Sequence, residues 1–326
     1  MLRGALIGVG NAAINGHVPA YLDDPWLRQK VKIVAAADPA AENLALLRER
    51  LPAVTACRAA EEIFAADGVD FIDICTPPNQ HLEIVRMAAQ RGCHVLCEKP
   101  LAASLTDGLE IHRLVRKRPL VFMPCHQYRF SPLWRAVQHL VRADEIGEVR
   151  LAQFEVFRLR ADPGSGRWEP GWRTQPHIAG GGIIFDIGTH YFYLAFSLFG
   201  LPEQISARVA RLAHSGYEVE DTALVILEYP TLLVQINLTW AAEHRENRVR
   251  LIGTKGDLEL REDHVLLQRG GERREWLIAG ASGKAAYPRW YGRLFREFIR
   301  KIETASYSTE YLAEAANTLR CAELCY

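Results

Sequence analysis

The segment GALIGVGNAA, residues 4–13, predicts the fold of the first part of the chain. Its short apolar run ends in a GxGxxA pattern, GVGNAA at residues 8–13, which is typical of a strand that turns into a dinucleotide-binding helix. The first glycine of such a pattern permits a tight turn, the second lets the backbone approach a pyrophosphate, and a small third residue lets the helix pack on the strand. The pyrophosphate is expected against the N–H groups at the helix N-terminus, with Gly8, Gly10, Asn11 and Ala12 as binding residues and Ala13 as the small third residue.

Strand-like and helical segments alternate along the chain to about residue 123. Short β-rich runs at residues 3–7, 32–37, 71–74, 94–97 and 120–123 alternate with helical segments such as 41–50, 81–91 and 105–117. Strands that are apolar on both faces and separated by helices imply right-handed crossovers and a parallel sheet covered on both sides. We therefore predict an α/β fold with an N-terminal, doubly wound, Rossmann-type parallel sheet.

The pattern changes after Pro124. One helix, residues 132–142, is followed by strand-like runs at 149–159, 222–229, 232–240, 248–252, 257–261 and 265–268, and helical periodicity returns at 291–304 and 309–326. Consecutive strands joined by short turns favour an antiparallel sheet. The predicted domains are residues 1–123, which bind the dinucleotide, and residues 124–326, an α+β domain with a mainly antiparallel sheet for substrate binding and oligomerisation. The alternative for the last helices is that they pack back on the first domain.

Length and charge narrow the class of protein. The chain has 326 residues, with 49% apolar and 24% charged residues, as in soluble globular proteins. Its 39 basic and 39 acidic residues cancel, so we expect no nucleic-acid partner. The N-terminal apolar run is too short for a secretory signal, and the longest apolar stretch, residues 183–198, is shorter than the ~20 residues of a membrane span. We therefore expect a cytoplasmic protein with a small-molecule substrate and no membrane partner.

The seven cysteines have no CxxC spacing. Cys93 and Cys97, like Cys321 and Cys325, are four residues apart, but no nearby histidine or second pair completes a tetrahedral metal site. We predict packing cysteines in a reducing compartment and no bound metal.

A second motif, AAADP at residues 35–39, ends the second predicted strand. A carboxylate at this place accepts hydrogen bonds from the ribose hydroxyls of NAD and repels the extra phosphate of NADP. We therefore predict that Asp38 binds NAD, with NADP disfavoured. An aspartate before Pro39 is also a common helix N-cap, and both roles can hold together.

Two further motifs follow later strands, and ligands bind at the carboxyl ends of strands in such sheets. CTPPNQH, residues 75–81, is either a rigid turn with Asn79 as a helix N-cap or a loop at the ligand crevice, and the sequence favours neither. The motif Glu98-Lys99-Pro100 supplies a lysine that could exchange a proton with a substrate hydroxyl or carbonyl as a hydride moves. The alternative for Lys99 is an ordinary surface lysine.

A fifth motif, GGGIIFDIGTH at residues 180–190, carries Asp186 and His190 on an otherwise apolar helix. Their four-residue spacing predicts that both lie on one helix face. Two titratable groups on a buried face need a partner or a function, so we favour a functional site over a satisfied structural pair.

The motifs follow one another along the chain in the order GVGNAA, AAADP, CTPPNQH, CEKP, HQYRF and GGGIIFDIGTH. In this order they make the chain resemble the Gfo/Idh/MocA family, the relatives of glucose-fructose oxidoreductase and inositol dehydrogenase. The resemblance covers nearly the whole chain. The resemblance implies that Lys99 is the catalytic acid/base and that Asp186 and His190 face the substrate. It also implies that Glu98 and Lys99 lie at the cofactor, near the nicotinamide, and that the cofactor is bordered by Thr76, Pro77, Asn79 and His81. The second domain would then supply the substrate pocket and an open sheet commonly used for oligomerisation, which predicts a homodimer or homotetramer.

The chain departs from the family pattern in one place. Many inositol and sugar members carry another aspartate shortly after the histidine, whereas His190 is followed here by YFYLA. This difference favours a bulkier or less polar substrate. Four further residues are candidates for the substrate pocket: Tyr128, Arg129, Trp172 and Arg173. The alternative, which is equally favoured, is that they only stack and form ion pairs within the structure.

Together the motifs predict an NAD-dependent oxidoreductase that transfers a hydride between nicotinamide and a secondary alcohol or ketone of a sugar, sugar derivative or cyclitol. Two alternatives stay open. One is an NAD-binding sensor or regulator that has kept the fold without the chemistry. The other keeps the cofactor and changes the reaction, as in a redox-neutral epimerase or eliminase, or an imine reductase.

Overall fold

The structure is a computed structural model that describes residues 1–162 and 171–326. The described chain divides into two compact units. The first unit contains Met1–His126 and Tyr287–Asn317, and the second contains residues 127–162, Gly171–Ala286 and Thr318–Tyr326. The predicted fold class, a parallel doubly wound sheet followed by an α+β domain, is confirmed.

The first unit is built on a six-stranded sheet in which all neighbouring strands are parallel, in the order β3-β2-β1-β4-β5-β6. The sequence predicts five of these strands and misses β3, whose three residues TAC form no apolar run and lie at the sheet edge. The strands are β1 Leu2–Ile7, β2 Val31–Ala37, β3 Thr55–Cys57, β4 Phe71–Ile74, β5 His94–Cys97 and β6 Phe122–Pro124.

The second unit is built on an eight-stranded sheet in the order β14-β13-β12-β11-β7-β10-β9-β8. The β7–β10 pair is parallel and the other neighbouring pairs are antiparallel. The sequence misses the two edge strands, β8 and β14; every residue of β14 is exposed, so it has no apolar face to reveal it. The strands are β7 Val149–Phe157, β8 Gln204–Ala210, β9 Thr222–Tyr229, β10 Leu232–Thr239, β11 Glu246–Gly253, β12 Asp257–Arg261, β13 His264–Arg269 and β14 Glu272–Leu277.

Two of the α-helices begin at a serine cap. Ser104 and Ser131 accept hydrogen bonds from the backbone N–H groups of Asp107 and Trp134, each at 3.1 Å, and so start α6 and α7. In chain order the helices are α1 Val18–Asp23, α2 Pro25–Lys30, α3 Ala41–Arg50, α4 Ala60–Ala65, α5 His81–Arg91, α6 Leu105–Val115, α7 Pro132–Arg142, α8 Pro176–Ala179, α9 Thr189–Phe199, α10 Tyr287–Glu303 and α11 Glu310–Glu323.

Two short π-helical segments precede α1 and α9. They span Ala13–His17, in the first unit, and Ile184–Gly188, in the second. Such segments are rare and frequently lie at functional sites. Each carries candidate or buried polar residues described below.

One helical stretch among the described residues, Pro176–Phe199, is long and apolar enough to cross a membrane by length and composition. Within it, 72% of the most apolar window is buried inside the protein. Most of the apolar stretch at residues 183–198 is therefore buried in the protein.

Candidate active site

The first unit gathers its candidate cofactor residues at one edge of the parallel sheet. The strand order reverses between β1 and β4, and ligands bind at such a switch point, beyond the carboxyl ends of the strands. Backbone hydrogen bonds tie the loops there to neighbouring strands: Gly8 N–H donates to Ala37 O at 2.9 Å, Cys75 N–H to Ile7 O at 2.7 Å, and Glu98 N–H to Ile74 O at 2.9 Å.

The two glycines of the GVGNAA loop have different structural surroundings. Gly8 has a φ of +86°, and a Cβ there would lie 2.7 Å from Thr76 N and 2.8 Å from the Cys75 carbonyl carbon. A Cβ at Gly10 would meet nothing within 4 Å. Gly8 is therefore required by the protein itself, whereas the space beside Gly10 is open to a ligand.

Asp38 links the glycine loop to the chain before α3. Its Oδ2 accepts a hydrogen bond from Val9 N–H at 2.7 Å, and its Oδ1 accepts from Ala40 N–H at 2.8 Å and from Asn43 Nδ2 at 3.2 Å. The N-cap of α3 is Ala40, so the alternative of an N-cap aspartate is wrong. The carboxylate instead fixes the loop whose N–H groups are predicted to face the pyrophosphate.

The loop after β4 combines a rigid turn with a polar group that lacks a protein partner. Thr76 Oγ1 is buried and has no hydrogen-bond partner among the described residues. Pro77 precedes a 3₁₀ turn, Pro78–Gln80, in which Asn79 is exposed. Gln80 is the N-cap of α5, so the N-cap alternative for Asn79 is also wrong.

His81 holds two of these loops together. Its buried ring lies with Nε2 3.0 Å from Thr76 O and Nδ1 3.2 Å from Leu101 O. Burial lowers the pKa of His81, and the hydrogen bonds to these carbonyls oppose that shift. Since both ring nitrogens face the backbone, His81 acts on the crevice by fixing the loops after β4 and β5.

Lys99 follows β5 and is half-buried. The preceding side chain, Glu98, is buried, and its Oε2 accepts a hydrogen bond from the backbone N–H of Lys99 at 3.0 Å. The backbone of Lys99 is thus fixed by its neighbour's carboxylate, while the side chain carries the amine.

Glu98 belongs to a buried polar network that sequence reasoning missed. His17 lies with Nε2 3.0 Å from Glu98 Oε1 and Nδ1 2.9 Å from Asp73 Oδ2. Tyr21 OH donates to Asp73 Oδ2 at 2.9 Å, and Tyr291 OH donates to Glu98 Oε1 at 2.6 Å. Asp73 inside the apolar strand FIDI was the available signal, because a buried acid needs a partner.

The same region contains a set of side chains with metal-ligand atoms. Ligand atoms of His17, Asp73 and Cys125 lie within 4.8 Å of one another, and all three residues are buried. His17 Nδ1 already faces both Asp73 oxygens, at 3.0 and 2.9 Å, so the geometry is that of a hydrogen-bonded pair. All seven cysteines are free, as a packing role requires.

In the second unit, His190 is held by two tyrosines. Its ring stacks on Tyr128 with centroids 4.1 Å apart and planes 8° from parallel, and its Nδ1 lies 2.8 Å from Tyr193 OH. The OH of Tyr193 also accepts a hydrogen bond from Tyr128 N–H at 3.3 Å. Tyr193 was missed by the sequence analysis, although its place one turn after His190 was a usable signal.

Asp186 lies in the π-helical segment and forms an ion pair with Arg173. Arg173 Nη1 donates to Asp186 Oδ1 at 2.7 Å, and the guanidinium lies over the ring of Trp172, 4.6 Å from its centroid. Three of the predicted residues, Trp172, Arg173 and Asp186, are thus in direct contact. Arg129 lies in the 3₁₀ segment Gln127–Phe130, next to Tyr128.

A buried glutamate positions the helix that carries Asp186 and His190. Glu220 accepts hydrogen bonds from Gly182 N–H, at 3.0 Å, and from Ile184 N–H, also at 3.0 Å. A Cβ at Gly182 would lie 2.1 Å from Glu220 O, and one at Gly181 would lie 2.3 Å from Tyr326 OH. The glycine run therefore allows Glu220 and Tyr326 to approach the helix start.

The fold and the loops at its switch point define a Rossmann-type, dinucleotide-binding protein. The open space beside Gly10, the Asp38 carboxylate and the Thr76 hydroxyl, which has no partner among the described residues, fit a dinucleotide. The family model described as the NAD-binding Rossmann fold of an oxidoreductase family matches residues 2–126, and the GFO/IDH/MocA C-terminal domain matches residues 134–259. The chain belongs to the GFO/IDH/MocA oxidoreductase family, and its first unit is an NAD-binding domain.

Individual relatives are distant. An uncharacterised oxidoreductase of Schizosaccharomyces pombe, C115.03, is 28% identical over 70% of this chain and 61% of its own length. The match therefore spans about 61% of that relative. The D-apiose dehydrogenase of Rhizobium rhizogenes is 28% identical over 81% of this chain and 75% of its own length. The structure of levoglucosan dehydrogenase with NADH and levoglucosan superposes with a TM-score of 0.86 at 20% identity, covering 99% of this chain and 95% of that one, and so shares the fold.

Proposed function

We propose that the protein is an NAD-dependent oxidoreductase that transfers a hydride between nicotinamide and a secondary alcohol or ketone of a sugar, sugar derivative or cyclitol. The observation that carries this proposal is Lys99, a half-buried lysine at the carboxyl end of β5 in an NAD-binding unit, with its backbone fixed by Glu98. NAD, when bound, supplies a hydride acceptor or donor at its nicotinamide ring. The residues of the chain bind and orient the reactants and move the proton.

The cofactor-binding role falls to the loops after β1, β2 and β4. The glycine loop holds the pyrophosphate with the N–H groups of Gly10, Asn11 and Ala12, and Asp38 accepts from the ribose hydroxyls. Gly8, whose own N–H donates to Ala37 O, forms the tight turn of this binding loop. Thr76, Pro77 and Asn79 border the cofactor, and the hydroxyl of Thr76 gains a partner there. His81 and Glu98 keep these loops in place.

Lys99 is the proposed acid/base. In the oxidation direction its amine accepts the proton of the substrate hydroxyl while the hydride leaves carbon, and in reduction the ammonium returns it. His190 is the second proton-carrying group, oriented by Tyr193 and backed by the stacked ring of Tyr128. Asp186 and Arg173, joined as an ion pair, offer a carboxylate and guanidinium N–H groups to substrate hydroxyls or to an acidic substituent.

The substrate class rests on the family and on chemistry. The similarity to D-apiose dehydrogenase supports a sugar. The aromatic side chains of Tyr128 and Trp172 suit the apolar face of a pyranose or furanose ring, and the absence of an aspartate in YFYLA after His190 favours a bulkier or less polar sugar derivative, such as a glycoside. We further propose that the open sheet of the second unit mediates a homodimer or homotetramer, which analytical ultracentrifugation measures directly.

A substrate panel tests the activity. The protein is incubated with NAD⁺ and, in turn, aldoses, ketoses, glycosides, sugar acids and cyclitols, and the absorbance of reduced nicotinamide is followed. We expect at least one class to give NADH, and the corresponding ketone to consume it. NAD binding without turnover in either direction across the panel would support the sensor alternative, and product formation without net NADH would support an epimerase.

Asp38→Ala tests the cofactor preference. We expect wild type to prefer NAD over NADP and the variant to bind NAD about 10–100-fold more weakly, because it loses charge-assisted hydrogen bonds worth about 1.5–3 kcal/mol each. Removal of the negative charge also reduces discrimination against NADP. Isothermal titration with both cofactors measures the two effects. Asp67→Ala, which changes an exposed carboxylate of the same unit, is the control.

A further inference from the structure

His17 is fixed between two buried carboxylates of the first unit. Asp73 contacts its Nδ1 and Glu98 contacts its Nε2, at 2.9 and 3.0 Å, and the ring is fully buried. Both nitrogens of a histidine can donate only when the ring is protonated. Although burial alone would lower the pKa of His17, the Asp73 charge raises it well above its usual range. His17 is therefore an imidazolium at neutral pH.

Among the residues that the structure describes, the pKa values of the other titratable groups around His17 and Glu98 are shifted toward the uncharged form, and the neighbouring cation is Lys99. Burial raises the pKa of the Cys75, Cys97 and Cys125 thiols and of the Tyr21 and Tyr291 hydroxyls, while burial lowers the pKa of His81. Burial would raise the pKa of Glu98, but the hydrogen bond and charge of His17, the Tyr291 hydroxyl and the Lys99 charge hold it below its usual range. The carboxylates of Asp73 and Glu98 and the imidazolium of His17 together carry one net negative charge. The charge of Lys99 stabilises the Glu98 carboxylate.

We propose that His17 is a positioning residue for Lys99: clamped by Asp73, it fixes the Glu98 carboxylate and limits the buried charge beside the lysine to one negative charge. Rotation of Glu98 is prevented because its Oε1 is held by His17 and Tyr291 while its Oε2 holds the Lys99 backbone. The π-helical segment supports this arrangement, since Gly16 leaves room for the Tyr291 ring; a Cβ there would lie 2.8 Å from it. The proposal rests on the proposed acid/base function of Lys99.

The net charge near Lys99 predicts a different effect on the protonation of the Lys99 amine for each variant. His17→Gln removes the cation and leaves two negative charges near Lys99, so the ammonium form is stabilised. Glu98→Gln removes the negative charge nearest Lys99, so the ammonium form is destabilised. Asp73→Asn removes one anion, and with it the charge that raises the pKa of His17 above its usual range, so we expect the ring to lose its proton and the net charge to stay at one. A network that only supports packing would not produce this order.

The test measures the reactivity of the Lys99 amine in the intact protein without substrate. Competitive labelling with isotopic acetic anhydride, read by peptide mass spectrometry, reports the uncharged amine fraction, and the exposed Lys117 of the same chain is the internal standard. At a fixed mildly alkaline pH we expect Lys99 labelling to fall about tenfold in His17→Gln, to rise about tenfold in Glu98→Gln, and to change less than about threefold in Asp73→Asn. A tenfold change corresponds to about one pKa unit, as expected when the net charge near the amine changes by one. Equal changes, or the reverse order, would overturn the proposal.

A second measurement covers the case in which His17→Gln fails to fold. Nitrogen NMR of wild-type protein, with the ring of residue 17 assigned by its proximity to Tyr291 and Phe295, is expected to show both ring nitrogens protonated at neutral pH. A single neutral tautomer would contradict the proposal. Neither readout uses turnover, so an inactive substrate panel would count against the proposed function and leave the His17 result intact.

Discussion

Replacing Lys99 with methionine is expected to lower kcat about 10²–10⁴-fold, the usual contribution of a general acid/base. Methionine keeps the length and apolar stem of lysine and removes only the amine. The hydrogen bond to Glu98 Oε2 comes from the backbone N–H of residue 99, so it survives the substitution. The loss therefore reports proton transfer, and the dissociation constant of NAD should stay within about threefold of wild type.

Lys117→Met is the matched control, because Lys117 is exposed in the same unit. The kinetics use the fastest substrate that the panel reveals. A Lys99→Met enzyme with near-normal turnover would remove Lys99 from the mechanism and leave His190 as the acid/base. A large loss of NAD affinity in the variant would instead assign Lys99 a binding role.

The sequence predicts the first unit well because its fold follows from local patterns. Parallel strands buried on both faces are mostly apolar runs, as in FIDI and HVLC, and α6 between β5 and β6 begins at a clear cap, Ser104. The missed strands β3, β8 and β14 all lie at sheet edges, where exposure removes the apolar pattern. Edge strands are defined by their neighbours, which a single sequence does not reveal.

The residues of the candidate site also divide into those that the sequence reveals and those that it does not. Residues in motifs that directly follow strands, such as Gly8 and Lys99, can be predicted from the sequence, because the carboxyl ends of parallel strands lie at the same edge of the sheet. Partners that come from distant segments cannot: Tyr291 reaches Glu98 across 193 residues of chain, and His17 reaches it across 81. Only an unexplained buried acid, Asp73, marked that network beforehand.

The glycine loop gives the second large prediction, because its two glycines serve different purposes. In Gly8→Ala the new methyl group meets backbone atoms of Thr76 and Cys75 at 2.7–2.8 Å, and residue 8 keeps a φ of +86°. A left-handed backbone costs about 1–2 kcal/mol, and overpacking costs about 1–3 kcal/mol more. We expect a lower melting temperature for this variant, together with loss of NAD binding, measured by calorimetry and titration.

Gly10→Ala separates cofactor approach from folding. The methyl group has no protein atom within 4 Å, so the melting temperature of the apo protein should match wild type. If the pyrophosphate lies against this backbone, the same methyl group crowds it, and NAD affinity should fall about 10–100-fold, the equivalent of about 1–3 kcal/mol of overpacking. Unchanged NAD affinity in Gly10→Ala would mean that the pyrophosphate lies elsewhere. Because Gly8→Ala loses both properties and Gly10→Ala only one, the pair distinguishes a glycine that the fold needs from one that the cofactor needs.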